Sequence, residues 1–431
     1  MIDIKFLRDN PYLVKLKSEQ KGYKVEVNKI LELDHQRREL IVEIDHLRQK
    51  RNDLSKIKLA HDLEQTTIDS VKTIKNDLNV KIEQLSHINQ DFDEYLRQIP
   101  NMALDDVPIG QSEDDNVIVR QVGDLPKFSF EPKPHHLLAD SLGLIDNKRA
   151  AKISGSRFVY LKADLVKLQF ALINFVFSAL SDQQIIDKII KDNHLQTVNK
   201  PFTPILPPAL LKTQPYLASS RLDEENVTYK IAQDDLWLNA SAEHTLCTMY
   251  WDEVLDLKDL PIRYIGYSTS FRREAGTYGK DMEGIFRLHQ FDKLEMEVFS
   301  TPEDGLNEHL LLVAIQEYLV SSLGLPYQVL QKCTADIGKP NAQGVDIETY
   351  LPGQAKYRET HSADYMTDYQ SRDLKIRFKD DANRIQFVHT NDATAFALSR
   401  ILIAIIENYQ TAEGRIIIPK ILQPLMNQEI I

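Results

Sequence analysis

Apolar residues recur every seven positions along two stretches of the N-terminal quarter of the chain. The two series are Leu33, Leu40, Leu47, Leu54 and Val71, Leu78, Leu85, Phe92, Ile99. No glycine or proline stands between Asn28 and Ile99. An uninterrupted seven-residue repeat predicts two long helices that pack along one seam, joined by a polar turn near residues 60–67. We therefore expect an antiparallel coiled-coil arm over about 28–99, with Arg37, Arg51 and Lys81 as polar interruptions of the seam.

A second pattern, with a period of two, lies between Phe271 and Phe299. The even positions after a glycine-containing loop are mostly apolar, namely Phe286, Leu288, Leu294, Met296 and Val298. The odd positions include Arg287, His289, Phe291 and Glu295, and on the incoming side Arg272 and Glu274 share a face. This alternation predicts a strand, a mobile loop holding Gly276, Gly279 and Gly284, and a second strand.

The polar face of this hairpin carries a particular set of side chains. Arginines suit phosphate oxygens, a phenylalanine suits a ring, and carboxylates accept N–H or O–H donors. A nucleoside triphosphate would fit such a face. From the residues alone, an ordinary salt-bridged hairpin face is the more common explanation of the pattern.

Length and charge bound the remaining possibilities. A chain of 431 residues is longer than one core usually supports, so two or three units are expected. The 52 basic and 64 acidic residues give a net charge of −12, so any nucleic-acid contact must be local. Five cations gather toward the predicted tip of the arm, where they could bind phosphates or merely form a solvated helix face: Arg48, Lys50, Arg51, Lys56 and Lys58.

Cysteine content and hydropathy argue against a disulfide-rich protein, a cysteine-ligated zinc protein and a secreted or membrane-spanning protein. Cys247 and Cys333 are far apart and belong to no Cys/His cluster, so neither a disulfide framework nor a cysteine-ligated zinc site is indicated. This fits a reducing cytoplasm. The N-terminus lacks the apolar core of a secretory signal, and the most apolar runs, near 165–180 and 398–406, are interrupted by polar residues, so no membrane span is expected.

The hairpin sequence, FRREAG followed by RLHQFDKLEMEVF, resembles motif 2 of the class II aminoacyl-tRNA synthetases in the form carried by seryl-tRNA synthetases. KPFTPILPPALL resembles motif 1, and HTNDATAFALSRILIAIIENYQ resembles motif 3. The resemblance implies an α+β fold with an antiparallel β-sheet core flanked by helices. It places the N-terminal tRNA-binding domain at 1–105, a linker at 106–130 and the catalytic domain at 131–431, with motifs 1, 2 and 3 at about 200–212, 262–299 and 388–410.

The resemblance also implies an activity. L-Serine would be activated with ATP and Mg²⁺ to seryl-adenylate, and the seryl group would pass to serine tRNA, whose long variable arm the helical arm would hold. The implied ATP-binding residues are Arg272, Arg273, Glu274, Arg287, Phe291, Glu359, Thr360, His361, Ser362 and Arg400, with Arg272 and Arg400 catalytic and Glu359 and Ser362 on the metal. The implied serine-binding residues are Ser241, Ala242, Glu243, Arg272, Glu295, Asp392 and Thr394. A cytoplasmic homodimer formed through motif 1 is expected, with no DNA or membrane partner.

The sequence departs from the family pattern at several of these positions. Ser241 replaces a threonine, Asp392 an asparagine and Ser399 a glycine, while Thr360 and His361 stand where serines are usual. The segment KTQPYLASSRLDEENVTYKI, within about 212–230, replaces an expected glycine-rich stretch. These differences keep two alternatives open, a non-charging paralogue that binds RNA or a partner, and a ligase that loads an amino acid onto a carrier protein.

Overall fold

The computed structural model describes residues 1–58, 65–222, 227–274 and 283–431, with 55–58 and 65–68 described by their backbone alone. Much of the expected turn near 60–67, and Gly276 and Gly279 of the expected mobile loop, lie outside these ranges. The chain divides into two compact units, residues 1–102 and residues 103–431.

Unit 1 is helical and is dominated by two long helices. Its helices are α1 (Ile4–Asp9), α2 (Pro11–Gln20), α3 (Val27–Lys58) and α4 (Gln65–Gln98). Arg37 of α3 lies over the Phe92 ring, 4.5 Å from its centroid, whereas Glu43, further along α3, pairs with Lys81, which precedes Phe92 on α4. The two helices are therefore antiparallel, as the repeat predicts. Every apolar residue of the two series is buried or half-buried.

Polar residues in the seam of unit 1 have partners. Buried Asp34 lies 2.9 Å from Arg8 and 3.2 Å from Arg38, which ties α1 to α3. Such pairing matters because an isolated buried charge is costly. Arg51, expected in the seam, is exposed and donates to Asn52 instead.

Unit 2 interleaves strands with helices. In chain order its elements are β1 (Val117–Val122), α5 (His135–Ser141), β2 (Ile145–Asp146), α6 (Asn147–Ser154), β3 (Tyr160–Leu161), α7 (Asp164–Ser181), α8 (Gln183–Asp192), β4 (Thr203–Ile205), β5 (Leu210–Leu211), α9 (Thr213–Ala218), β6 (Trp237–Leu238), α10 (Ala242–Leu246), β7 (Val254–Asp256), β8 (Ile262–Phe271), β9 (Gln290–Ser300), α11 (Gly305–Ser322), β10 (Tyr327–Gln331), β11 (Gln343–Leu351), β12 (Lys356–Thr367), α12 (Tyr369–Leu374), β13 (Arg377–Lys379), β14 (Ile385–Phe387), β15 (His389–Ala397), α13 (Leu398–Asn408) and α14 (Gln423–Met426).

An eight-stranded sheet organises unit 2, in the order β1-β10-β11-β12-β15-β9-β8-β4. All neighbouring pairs are antiparallel except β4 with β8. The expected α+β class with an antiparallel core is thus confirmed. Leu294, Met296 and Val298 of β9 belong to the hydrophobic core that α7, α11 and α13 form on one face of the sheet. The odd positions of β9 consequently point to the opposite face.

Two expected boundaries need correction. The segment 106–130 is not only a linker, because its residues Val117–Val122 form the edge strand β1 and pair with β10. The strand after the motif 2 loop begins at Gln290, four residues later than the alternation from Phe286 indicated. Phe286 and Leu288 are buried as predicted, but they belong to an irregular segment. Their alternating burial resembles that of a strand although no strand forms at these residues.

Helix α7 is long and apolar enough to cross a membrane by length and composition. Eight of its residues are nevertheless buried in unit 2, where the helix packs into the hydrophobic core. Its apolar character is therefore accounted for by packing within the protein.

A buried ion pair holds α11 to β8. The Arg263 guanidinium donates twice to Glu308, over 2.8 and 2.7 Å, and both side chains are fully buried.

Glu308→Ala should lower the free energy of unfolding by about 3–5 kcal/mol, because it leaves the arginine charged, buried and unpaired. Denaturant titration of the full chain measures this. The exposed pair of Lys188 and Asp192 supplies the control, since Asp192→Ala should cost less than about 1 kcal/mol. Equal losses for the two variants would contradict the prediction.

Candidate active site

A polar cavity opens on the sheet face opposite the helical core. Strands β9, β12 and β15 form its floor, and the residues that follow β8, the first turn of α13 and residues 286–288 form its walls. Its volume is about 170 Å³, or about 770 Å³ when the open mouth is included. The lining residues are Arg272, Glu274, Phe286, Arg287, Leu288, Phe291, Lys293, Lys332, Glu359, Thr360, Ser362, Asp364, Thr394, Ala397, Ser399 and Arg400.

Three arginines predicted from sequence meet in this cavity. Arg272 follows β8, donates to the carbonyl of Ala240 over 3.2 Å and lies over the ring of Phe291, 5.3 Å from its centroid. Arg287 enters from the segment before β9, and Arg400 from the first turn of α13. Guanidinium groups brought together from three elements form a wall suited to an anion with several oxygens.

Each of two wall arginines faces a carboxylate. Arg287 lies 3.5 Å from Glu274, and Arg400 lies 2.9 Å from Glu359. Glu274 has a left-handed backbone with φ of 52°, which is uncommon outside glycine and concentrates at functional sites. Desolvation acts to raise the pKa of Glu359, but Arg400, Lys332 and Arg272 outweigh it and lower that pKa to about 2.

A β-bulge in β12 explains which residues reach the cavity. Ile347 of β11 pairs with His361 and Glu348 with Glu359, so Thr360 is an extra residue. A single extra residue reverses the alternation of a strand, so that Glu359 and Ser362, three apart, both face the cavity. A strand without the bulge would place Glu359 and His361 on one face.

The bulge turns His361 away from the cavity. Its ring lies 5.8 Å from the Phe396 ring, and burial lowers its pKa to about 3, so it is neutral. Arg273 is exposed and, like His361, does not line the cavity. The structure thus brings eight of the ten predicted ATP-binding residues together there and leaves these two outside.

The predicted serine-binding residues form a buried cluster next to the cavity. Carboxylate oxygens of Glu243, Glu295 and Asp392 lie within 4.8 Å of one another. Ser241 caps the N-terminus of α10 and lies 3.3 Å from Glu295. None of these four residues lines the open cavity, whereas the neighbouring Thr394 does. Ala242 is buried beside Gly266, whose missing side chain lets α10 approach β8, and it does not join the cluster.

Two cations that sequence reasoning missed neutralise the acidic cluster. Lys293 lies two residues before Glu295 on the same strand face, contacts its carboxylate and donates to Ser241 over 3.1 Å. The two-residue period could have revealed it. Arg221 comes from the divergent stretch after α9 and contacts Asp392 at 2.5 Å and Glu243 at 3.5 Å. No periodic signal points to a loop residue of this kind.

A hydrogen-bonded relay orients Glu243. The backbone N–H of Ala240 donates to His244 Nδ1 over 3.2 Å, so that nitrogen carries no proton. The Tyr216 hydroxyl therefore also donates to Nδ1, over 2.6 Å, and the protonated Nε2 donates to Glu243 over 3.2 Å. Burial acts to raise the pKa of Glu243, but Arg221, Lys293 and His244 hold it well below its usual range. The carboxylate is therefore ionised and fixed.

This antiparallel sheet, with its arginine wall and acidic cluster, defines the catalytic core of a class II aminoacyl-tRNA synthetase. The family model described as "tRNA synthetase class II core domain (G, H, P, S and T)" matches residues 228–409, and the "Seryl-tRNA synthetase N-terminal domain" model matches residues 1–103. The chain belongs to the seryl-tRNA synthetase family.

Full-length relatives agree with the family models. A serine-tRNA ligase of Nitrosopumilus maritimus is 34% identical over 435 residues, covering 100% of this chain and 99% of the relative. The crystal structure of seryl-tRNA synthetase from Pyrococcus horikoshii complexed with ATP has a TM-score of 0.87 and 36% identity, covering 100% and 99% of the two chains. The cytoplasmic serine-tRNA ligase from Naegleria fowleri in complex with AMP has a TM-score of 0.83 and 28% identity, covering 100% and 98%.

The acidic cluster predicts that ligand binding is linked to the release of protons. Burial and neighbouring Glu243 raise the pKa of Glu295 to about 7 despite the contact with Lys293, so near neutral pH the carboxyl is partly protonated. A ligand ammonium favours the ionised form. Binding of L-serine should therefore release protons, and its affinity should weaken from about pH 8 to about pH 6, because the ionised fraction falls up to tenfold per pH unit below the pKa.

Isothermal titration calorimetry in buffers of different ionisation enthalpy measures this release. Glu295→Gln removes this titrating group and should reduce the buffer dependence. Binding enthalpies that are the same in all buffers for the wild-type chain at pH 7 would contradict the prediction.

Proposed function

We infer that the chain activates L-serine with ATP and transfers the seryl group to serine tRNA. The observation that carries this conclusion is the junction of an arginine-walled cavity with a buried acidic cluster on one sheet face. Polyphosphate fits the first part and a small amino acid with an ammonium group fits the second. A substrate held across the junction brings its carboxylate toward the phosphates.

The reaction requires alignment rather than a protein base. The ionised serine carboxylate attacks the α-phosphorus, an oxygen–phosphorus bond forms, and the bond to the β-phosphate oxygen breaks as pyrophosphate leaves. Arg272 lies between the two parts of the site, so it neutralises charge that grows on the α-phosphate while holding the carboxylate. The 3′-terminal hydroxyl of the tRNA then attacks the seryl-adenylate carbonyl and AMP leaves.

ATP recognition is assigned to the cavity residues. Arg287 and Arg400 hold the triphosphate, Phe291 stacks on the adenine ring, and Glu274 accepts a hydrogen bond from the adenine amino group. Arg400 contacts Glu359 through Nη1, and binding of phosphate by the same guanidinium would weaken this pair. The phosphates supply the charge that replaces this partner.

Mg²⁺ fits two oxygen-bearing residues of β12, one of which pairs with Arg400. Glu359 and Ser362 face the cavity on the same side of β12 and offer oxygen ligands, the kind that Mg²⁺ prefers. The low pKa of Glu359 keeps it ionised and ready to bind the ion. Bound Mg²⁺ would neutralise phosphate charge.

Serine selection is assigned to the acidic cluster. Ser241 and Glu243 receive the ammonium group, while Glu295 and Thr394 bond the substrate hydroxyl. Alanine would leave these groups unpaired, at a cost of about 1–3 kcal/mol for each buried polar group. Asp392 acts through its pair with Arg221.

Unit 1 is proposed to bind the tRNA. Arg48, Lys50 and Arg51 are exposed on α3, and Lys56 and Lys58 follow, although their side chains are outside the described set. Exposed cations on a helix suit the phosphates of an RNA stem. We further propose a cytoplasmic homodimer formed through the motif 1 region around β4.

Serine-dependent exchange of pyrophosphate into ATP, assayed with all twenty amino acids, tests the activation step. Serine should support exchange far better than the other amino acids, and Arg400→Ala should abolish exchange with little change in melting temperature. Exchange with none of them, in a folded preparation that binds serine tRNA, would indicate the non-charging alternative. Exchange without tRNA charging would indicate the carrier-protein ligase.

The arm makes a separate prediction. Replacing Arg48, Lys50, Arg51, Lys56 and Lys58 by glutamine should weaken tRNA binding and leave serine activation unchanged. The slope of log affinity against log salt should flatten by roughly 0.7–0.9 for each phosphate that the variant no longer neutralises. Fluorescence anisotropy with labelled tRNA measures both effects. Lys188→Gln with Lys191→Gln, exposed cations on α8, is the control and should keep the wild-type slope. An unchanged slope in the arm variant would refute the assignment.

A further inference from the structure

Arg221 is buried beside the acidic cluster although it belongs to a connecting segment. Its side chain is 14% exposed, and its guanidinium contacts Asp392 at 2.5 Å and Glu243 at 3.5 Å. Arginines are seldom buried to this degree unless they are paired. The segment that carries Arg221 is the one that departs from the family pattern, so this residue cannot be read from the family motifs.

A row of carboxyl groups lies across the sheet at Arg221. Asp364 of β12 pairs with Asp392 of β15, and Asp392 pairs with Glu297 of β9. Burial raises the pKa of all three groups, and if they were all ionised, these directly opposed charges on neighbouring strands would repel one another. Both Glu297 oxygens are buried and accept no hydrogen bond from the described residues. We call these three residues the acidic row. It runs beside the pair of Thr394 with Glu295 and shares Asp392 with the serine-binding cluster.

The position of Arg221 connects the acidic row to the cluster. One guanidinium nitrogen holds Asp392, the middle member of the row, and another faces Glu243 Oε1, the oxygen that His244 Nε2 also contacts. Removing the guanidinium would leave Asp392 between Asp364 and Glu297 without the cation that now holds it. Asp392 and Glu243 would then reorient or take up protons, and the wall against the substrate amine would change.

We propose that Arg221 is a positioning residue for the amino acid: by pairing with Asp392 it fixes the acidic wall that receives the serine ammonium group. This inference rests on the proposed assignment of the cluster to serine. The ion pairs of Arg221 are with Asp392 and Glu243, and neither carboxylate belongs to the proposed ATP-binding set. Its effect should therefore be confined to serine binding.

The pairing of Arg221 with Asp392 also predicts how the two residues depend on each other. This chain has an aspartate at position 392 and places an arginine on it, whereas a neutral asparagine there would need no cation. The arginine and the aspartate therefore act as one unit. Changing both to neutral groups should restore what changing the arginine alone removes.

The test compares Arg221→Met, Asp392→Asn and the double variant in serine-dependent pyrophosphate exchange. Arg221→Met, similar in length but uncharged, should raise the KM for serine at least tenfold and leave the KM for ATP within twofold. The double variant should recover most of the serine KM, since an asparagine requires no charge partner. Calorimetric titration with serine gives the same comparison without turnover.

Arg263→Met is the matched control, because Arg263 is also buried and paired with a carboxylate but lies on the helical side of the sheet. It should lower the melting temperature without separating the two KM values. The proposal is overturned if Arg221→Met leaves the serine KM unchanged, if it raises both KM values together as a general loss of structure does, or if the double variant is no better than the single one. Absence of serine binding and exchange by the wild-type chain would instead refute the function and, with it, the role of Arg221.

Discussion

Three carboxyl groups, those of Glu243, Glu295 and Asp392, have oxygens within 4.8 Å of one another in a place that water hardly reaches. Two ionised groups about 4 Å apart repel by about 4 kcal/mol at an effective dielectric constant of about 20, so this arrangement persists because cations lie among the carboxylates and Glu295 is partly protonated near neutral pH. Lys293 from β9 and Arg221 from the loop after α9 supply these cations. The carboxylates and the cations that neutralise them come from β9, β15, the short helix α10 and the loop after α9. A substrate ammonium group therefore enters a site whose carboxylates already bind cations.

Much of the architecture follows from local sequence. The seven-residue repeat identified the helix pair of unit 1 because burial along a helix has a regular period, and the residues of motif 2 revealed the sheet face because strands alternate. The sequence pattern does not show where an extra residue interrupts the alternation of a strand. One extra residue at Thr360 brings Ser362 into line with Glu359 and turns His361 into the core. A second break, between Thr394 and Phe396, lets Thr394 face the site while Phe396 packs against the helices.

Other features were beyond the sequence for a different reason. Arg221 and Tyr216 act through contacts with residues far along the chain, and a loop or short helix has no pattern that points to such partners. The strand β1 is a different case, because it lies in a segment whose proline, glycine and acidic residues are typical of a linker, although its own sequence VIVRQV is rich in the β-branched residues that favour strands. Lys293 differs from these residues. The alternation that places Glu295 on the polar face of β9 places Lys293 there as well, so the sequence could have identified it.

Both ends of the segment between Glu274 and Glu283 are anchored independently. On one side the Arg273 amide bonds the carbonyl of Val227. On the other, the Ile285 amide bonds His135 Nε2, and Nδ1 of the same ring donates to buried Glu407 at the far end of α13. The chain next to Arg272 and the chain next to Arg287 are therefore each tied to the body of unit 2. Contacts at Val227 and Glu407, far from both arginines along the chain, thus help to set the spacing of the two guanidinium groups.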